Sequence, residues 1–212
     1  SDTVLDKDVE KPVAEKVSDL PTNEEKQLRP KEVKFDTWDD LLKWEPGKRV
    51  DDDMNRASVP LASRFQGKQI NEQANPDAKI QALSNMNSKA KDHASVGGEE
   101  FKAYAFDYWQ YLDSMVFWEG LVPSADVIDA AHRNGVPIYG TIFYNWSSSI
   151  KDQERFAETL KEDSEGSKTF PIARKLVDLA KYYGFDGYFI NQETTGNLVE
   201  PLGPKLRDFL LY

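Results

Sequence analysis

The chain has 212 residues, 39% of them hydrophobic, no cysteine, and 37 acidic against 27 basic residues for a net charge of −10. That length holds one domain or one domain plus a tail. The acidic balance argues against nucleic acid or an anionic membrane surface as partner and fits a neutral ligand. The missing cysteines exclude disulfides, thiol nucleophiles and zinc–thiolate centres. No apolar run approaches the roughly 18–20 residues that span a bilayer.

Residues 1–34 are polar and charged, carry Pro12, Pro21 and Pro30, and contain no aromatic side chain. Such a composition buries too little apolar surface to offset the entropy of ordering, and it reads as a disordered or linker-like tail. The first residue is Ser1, which fits removal of an upstream piece. The catalytic or binding domain is expected over 35–212, where aromatic residues begin abruptly with Phe35 and Trp38.

Thr37 is placed to cap a short helix that ends at Trp44, with Glu45-Pro46-Gly47 as its stop. An irregular stretch follows, in which Asp51, Asp52 and Asp53 read as a solvated acidic turn, because they lack the spaced oxygens of a calcium loop. A first strand is expected over 78–83 and an aromatic-rich helix over 99–112. A nearly all-apolar second strand covers 114–118. An amphipathic helix over 123–134 presents Val127, Ile128 and Ala131 on one face and ends at Gly135. A third strand is expected over 136–144. Two helices follow, over 151–161 and 170–183, the second closed by Gly184. A fourth strand covers 186–191, and a last helix begins at Pro201.

Strands that alternate with helices and are apolar on both faces imply a parallel sheet in an α/β fold. The leading architecture is a (β/α)8 TIM barrel. Only four β/α units are visible where a full barrel needs about 250 residues, so the chain is expected to hold the N-terminal half of one, preceded by the tail. A smaller open α/β domain is the alternative.

The segment from Gly184 to Glu193 carries the most chemistry. Alternation along a strand points Asn191 and Glu193 the same way, with Cα atoms about 6–7 Å apart. They fall at the carboxyl end of the fourth strand, where barrels of this kind place their sites. A carboxylic acid buried in such a cleft keeps its proton to higher pH than one in water. A glycosidase with two carboxylates uses one as acid and the other as base or nucleophile. Here the second group is an amide, a weak base and poor nucleophile, which points to a substrate that supplies its own nucleophile. Aromatic residues follow two other strands at the same end, and sugar rings stack on such faces. Trp118, Glu119, Tyr144, Asn145 and Trp146 are therefore the expected substrate-binding residues. Asp186, at the start of the strand, is a candidate buttress of the site or of the turn. His93 and His132 stand apart from carboxylates at ligand spacing, so no metal site is expected.

The chain resembles glycoside hydrolase family 85, the endo-β-N-acetylglucosaminidases, and more closely the bacterial endo-D-like branch. The blocks that carry the resemblance are Arg56 to Leu61, Phe106 to Asp113, Met115 to Trp118, Ala130 to Thr141 and the Asn191-Gln192-Glu193 segment, in that order. The resemblance implies cleavage of the β-1,4 bond in the N,N′-diacetylchitobiose core of N-linked glycans, with retention. Glu193 would be the general acid/base, and Asn191 would orient the 2-acetamido group that attacks C1. The protein is expected to need no cofactor, to be a monomer, and to lie outside the cell, secreted or attached to the cell wall. The segment is also similar to the family 18 chitinase motif Asp-Gly-x-Asp-x-Asp-x-Glu, matched by Asp186, Gly187 and Glu193, but Phe189 and Asn191 stand where that family has aspartates. A family 18-like chitinase and a non-catalytic glycan-binding barrel or adhesin are the alternatives.

Overall fold

A computed structural model describes residues 32–50, 52–63, 77–84, 109 and 112–212. The expected tail up to residue 31, most of the helix expected over 99–112, and His93 lie outside the described residues. Four strands form one parallel sheet: β1 (Gln81–Ser84), β2 (Ser114–Phe117), β3 (Ile138–Tyr144) and β4 (Gly187–Gln192). Their spatial order is β1-β2-β3-β4, the same as their order in the chain. A doubly wound sheet reverses direction at a switch point. This sheet advances one strand at a time without reversal, as a (β/α)8 barrel does.

The helices are α1 (Trp38–Lys43), α2 (Ala125–Arg133), α3 (Ile150–Thr159), α4 (Pro171–Tyr183) and α5 (Gly203–Leu211). Among the described residues none is long and apolar enough to cross a membrane. α1 starts where expected. Thr37 Oγ1 accepts from Asp40 N at 3.1 Å, and Asp40 Oδ2 accepts from Thr37 N at 3.3 Å, which satisfies two otherwise orphaned donors. In α4 the residues Ile172, Leu176, Leu179, Ala180 and Tyr183 fall on one stripe and are all buried. Gly184 then takes φ 91°, a left-handed turn that ends the helix and turns the chain into β4. Packing starts earlier than Phe35, because Val33 already sits in the core.

β2 explains the parallel sheet most directly. Met115, Val116 and Phe117 are all buried, so both faces of the strand are covered. After β2 the chain doubles back over β3. Thr141 N donates to Gly120 O at 2.9 Å, and Thr141 Oγ1 donates to Phe117 O at 2.7 Å. This return is possible only because residue 140 is glycine: a Cβ there would lie 1.9 Å from the Leu121 carbonyl oxygen.

The amino-terminal edge of the sheet is tied by a belt made from residues 56–62. Arg56 Nε donates to Tyr182 O at 2.9 Å, with its guanidinium over the Tyr182 ring. Ala57 N donates to Tyr183 O, and Ala62 N to His132 O, both at 2.9 Å. Asp129 Oδ1 accepts from Ser58 N at 3.0 Å and Val59 N at 2.9 Å. The buried His132 joins this belt to the sheet, with Nδ1 2.6 Å from Val59 O and Nε2 2.7 Å from Asp186 Oδ2. The same Asp186 oxygen accepts from Ile138 N at 2.8 Å. Asp186 thus buttresses the start of β3 and β4, not the opposite edge where their carboxyl ends lie. The acidic turn also differs from its expected reading. Asp52 is buried, receiving hydrogen bonds from the Tyr183 hydroxyl, Asn55 Nδ2 and Arg49 Nη1. A solvated turn would leave that tyrosine hydroxyl buried without an acceptor.

Two measurements check this frame. Gly140→Ala in the full-length protein is expected to cost about 3 kcal/mol of unfolding free energy, the upper range for overpacking, because the obstructing atom is backbone. For His132, burial acts to lower the pKa, but the hydrogen bonds to Asp186 and Val59 and the Asp186 and Asp129 charges outweigh it and raise the pKa above 6.5. A raised folded-state pKa adds stability that is fully present below 6.5 and is lost as pH rises through the folded value. The gap in melting temperature between wild type and His132→Gln is therefore expected to narrow as pH rises through that range. A gap that widens would refute the charged histidine.

Candidate active site

The site follows from how β3 and β4 pair. Tyr139, Thr141 and Phe143 lie opposite Gly187, Phe189 and Asn191, whereas Gly140, Ile142 and Tyr144 lie opposite Tyr188, Ile190 and Gln192. Successive side chains alternate between faces, so these two sets occupy opposite sides. The second set faces the helices: the Tyr188 hydroxyl donates to Leu176 O in α4 at 2.5 Å, and burial pushes its pKa up. The first set, with Asn191, faces away from them.

The ladder continues past the strand, with Glu193 N donating to Tyr144 O at 3.0 Å. Glu193 therefore keeps the alternation and falls on the same side as Asn191. Asn191 Nδ2 donates to Glu193 Oε1 at 3.2 Å. The two expected catalytic side chains are brought into contact at the carboxyl edge. Glu193 is exposed rather than buried, so the described residues do not supply the desolvation expected for it. The residues on either side of it are held firmly. Gln192 Nε2 donates to Thr194 O at 2.8 Å, and Gln192 Oε1 accepts from Thr194 N at 3.0 Å, so one side chain grips both polar groups of the next-but-one residue.

Trp118 reaches this face. Its ring meets Phe143 edge-on at 5.9 Å and Phe189 at 6.1 Å, which builds an aromatic wall beside Asn191. Phe189 was legible only as a departure from the chitinase motif, although its place two residues before Asn191 signals the shared face. Trp146 is 87% exposed on the loop after β3, with its ring presented to solvent. The Asn145 side chain is exposed, while its carbonyl accepts from Thr194 Oγ1 at 2.7 Å. Glu119 is half-buried and lines a pocket of about 260 Å³ with Val33, Phe35, Trp38, Phe143 and Arg155.

Tyr144 does not join the site, which corrects the expectation that it binds substrate. It is 2% exposed and points into the helix layer. Its hydroxyl pairs with Thr159 Oγ1 at 2.7 Å, its ring meets Phe156 edge-on at 5.2 Å, and the Arg155 guanidinium lies 4.6 Å from the ring centre. Burial pushes its pKa up to about 12 against the opposing pull of Thr159 and Arg155. The physical reason is parity: Tyr144 is one residue from Phe143, and one residue reverses the face.

The sequence model of glycosyl hydrolase family 85 matches residues 85–212. Over 175 residues the chain is 33% identical to a protein named cytosolic endo-beta-N-acetylglucosaminidase from Danio rerio, covering 80% of this chain and 23% of that protein. The Gallus gallus protein of the same name is 29% identical over 174 residues, with 80% and 22% covered. Among solved structures, the glycoside hydrolase domain of Endo-D from Streptococcus pneumoniae R6 superposes with a TM-score of 0.82 at 76% identity, covering 87% of this chain and 29% of that one. The chain thus spans about a quarter of the length of the curated relatives it matches. With its sequential parallel sheet and the Asn191–Glu193 pair at the carboxyl edge, the chain belongs to glycosyl hydrolase family 85.

Proposed function

We propose that the protein containing this chain is an endo-β-N-acetylglucosaminidase acting on the N,N′-diacetylchitobiose core of N-linked glycans, with retention and with the substrate's own 2-acetamido group as nucleophile. The observation that carries the reading is the Asn191 Nδ2 to Glu193 Oε1 hydrogen bond at the carboxyl edge. It sets an amide, and not a second carboxylate, beside the one acid. The Asn191 carboxamide is too weak a base and nucleophile to stand in for the second carboxylate of a two-carboxylate glycosidase, so the attacking oxygen comes from the substrate's acetamido group, which is tethered beside C1.

Glu193 donates its proton to the glycosidic oxygen as the bond from C1 to that oxygen breaks. The acetamido oxygen forms the new bond to C1 and gives an oxazolinium-type intermediate. Water then attacks C1 as the bond from C1 to the acetamido oxygen breaks and restores the acetamide, and the water gives a proton to Glu193, now the base. Two displacements at C1 restore its configuration. Because Asn191 Nδ2 is engaged with Glu193, its Oδ1 is the atom left to accept from the acetamide N–H. That hydrogen bond both aims the acetamido oxygen and strengthens as the nitrogen takes on positive character. Trp118, with Phe143 and Phe189, offers the apolar wall on which a sugar ring stacks, and Trp146, Asn145 and Glu119 lie on loops at the same edge. We place the protein outside the cell, secreted or attached to the wall. The reading is supported by the 76% identity to the streptococcal domain, set against vertebrate relatives whose names call them cytosolic.

The test uses the full-length protein and a glycopeptide with mass-spectrometric product analysis. Wild type is expected to leave a single N-acetylglucosamine on the peptide. Glu193→Gln is expected to lower kcat by roughly 100- to 10,000-fold, the range for loss of a general acid. Cleavage by Glu193→Gln at the wild-type rate would remove the assignment. Tyr144→Phe is the contrasting case. It should lose about 1 kcal/mol of stability with its hydroxyl bond to Thr159 and leave both kcat and KM unchanged, as befits a side chain in the helix layer.

A further inference from the structure

The loops that follow β3 and β4 are bonded to each other beyond the end of the sheet. Glu193 N donates to Tyr144 O at 3.0 Å, Thr194 Oγ1 to Asn145 O at 2.7 Å, and Thr195 N to Ser147 O at 3.0 Å. One loop carries Glu193 and the other carries Asn145 and Trp146. The far end of this ladder is closed by a side chain from neither loop. Gln153, in the first turn of α3, is 5% exposed. Its Nε2 donates to Ser148 O at 2.8 Å on the β3 loop, and its Oε1 accepts from Leu198 N at 3.0 Å on the β4 loop. Gly196 permits the approach: a Cβ there would lie 2.3 Å from the Gln153 amide, and its φ of 132° is one that other residues rarely adopt.

We propose that Gln153 is a positioning residue that locks the two loops into one unit and so fixes the distance between the acid Glu193 and the aromatic Trp146. The proposal rests on the endoglycosidase reading of Glu193. A buried glutamine has one acceptor and two donors, and here each end is spent on a different loop. Its donor end governs the loop that presents Trp146, and its acceptor end governs the loop that presents Glu193. The two ends can therefore be separated by chemistry. Glutamate at this position keeps the acceptor for Leu198 N but, when ionised, has no donor for Ser148 O. When protonated, it regains one.

The experiment is steady-state kinetics of the full-length protein on an N-glycopeptide, well below the melting temperature of each variant. Gln153→Met breaks both bonds at nearly constant volume, and kcat/KM is expected to fall by roughly 100-fold, the loss that follows when reacting groups shift by about 1 Å. Gln153→Glu is expected to keep kcat near wild type and raise KM near neutral pH, with the KM ratio to wild type returning toward one as pH is lowered and the glutamate protonates. A residue that only supports the fold would give neither the split nor its reversal. If Gln153→Met fails to fold, Gln153→Glu decides alone: a pH-reversible rise in KM supports the lock, and a KM equal to wild type or raised equally at all pH overturns it. If both variants misfold, Gln153→Asn carries the test, because it keeps the amide but falls one methylene short of spanning both loops: wild-type kcat and KM would overturn the lock, and a raised KM supports it. Glu193→Gln measured in parallel separates the two readings. If it is inactive while Gln153 variants behave as wild type, only the lock fails. If it is active, the role of Glu193 fails first.

Discussion

The parallel pairing of β3 with β4 is the constraint on which the site depends. Six registered pairs, from Tyr139 with Gly187 to Tyr144 with Gln192, assign every side chain of both strands to one of two faces. Asn191 and Glu193 meet because they are two residues apart on a continued ladder, and Phe143 and Phe189 join them by the same parity. A slip of β4 by one residue would send Phe189, Asn191 and Glu193 into the helix layer and bring Tyr188, Ile190 and Gln192 to the open face. The apolar demand of the helices prevents that slip. Ile138, Ile142 and Tyr144 are buried against them, and Tyr188 has a single good acceptor there in Leu176.

The frame around this pair is built from contacts that need small or specific residues. Gly140 lets the chain after β2 fold back across β3 and thereby sets where Trp118 and Glu119 emerge. Asp52 gathers Tyr183, Asn55 and Arg49 behind α4, and the cost of burying its charge is offset by three donors. Burial, with the hydrogen bond and charge of Asp52 adding to it, holds the Tyr183 hydroxyl protonated far above its ordinary range. Such groups stabilise by leaving nothing unsatisfied more than by attraction.

Much of this was legible in the sequence. The alternation of strands and helices, the Thr37 cap and the glycine stop after α4 are local patterns, and they gave the four described strands and five described α-helices to within a few residues. The pairing of Asn191 with Glu193 is also local, because it follows from a two-residue period. What escaped depends on long-range facts. Tyr144 stood at a strand end among aromatics, and only the register against β4 shows that its neighbour Phe143 takes the open face. Asp52 sat in a run of three aspartates whose composition suggests water, and nothing nearby in sequence announces Tyr183, which lies 131 residues away. Gln153 reads as an ordinary polar position of an amphipathic helix until its two loops are seen to converge on it.

The belt of residues 56–62, with His132 and Asp186, gathers the amino ends of the strands, while Asn191, Glu193 and the aromatic wall occupy the carboxyl ends. The belt therefore ties the amino ends of the strands, while the proposed chemistry lies at the carboxyl ends, where the loops after β3 and β4 are bonded to each other and to Gln153. Loops at the carboxyl end can be lengthened, shortened or exchanged while the fastening at the other end stays whole. A lineage can then retune what the protein accepts without refounding its fold, and a laboratory grafting new loops onto this scaffold inherits the same freedom, provided the loops after β3 and β4 are exchanged together.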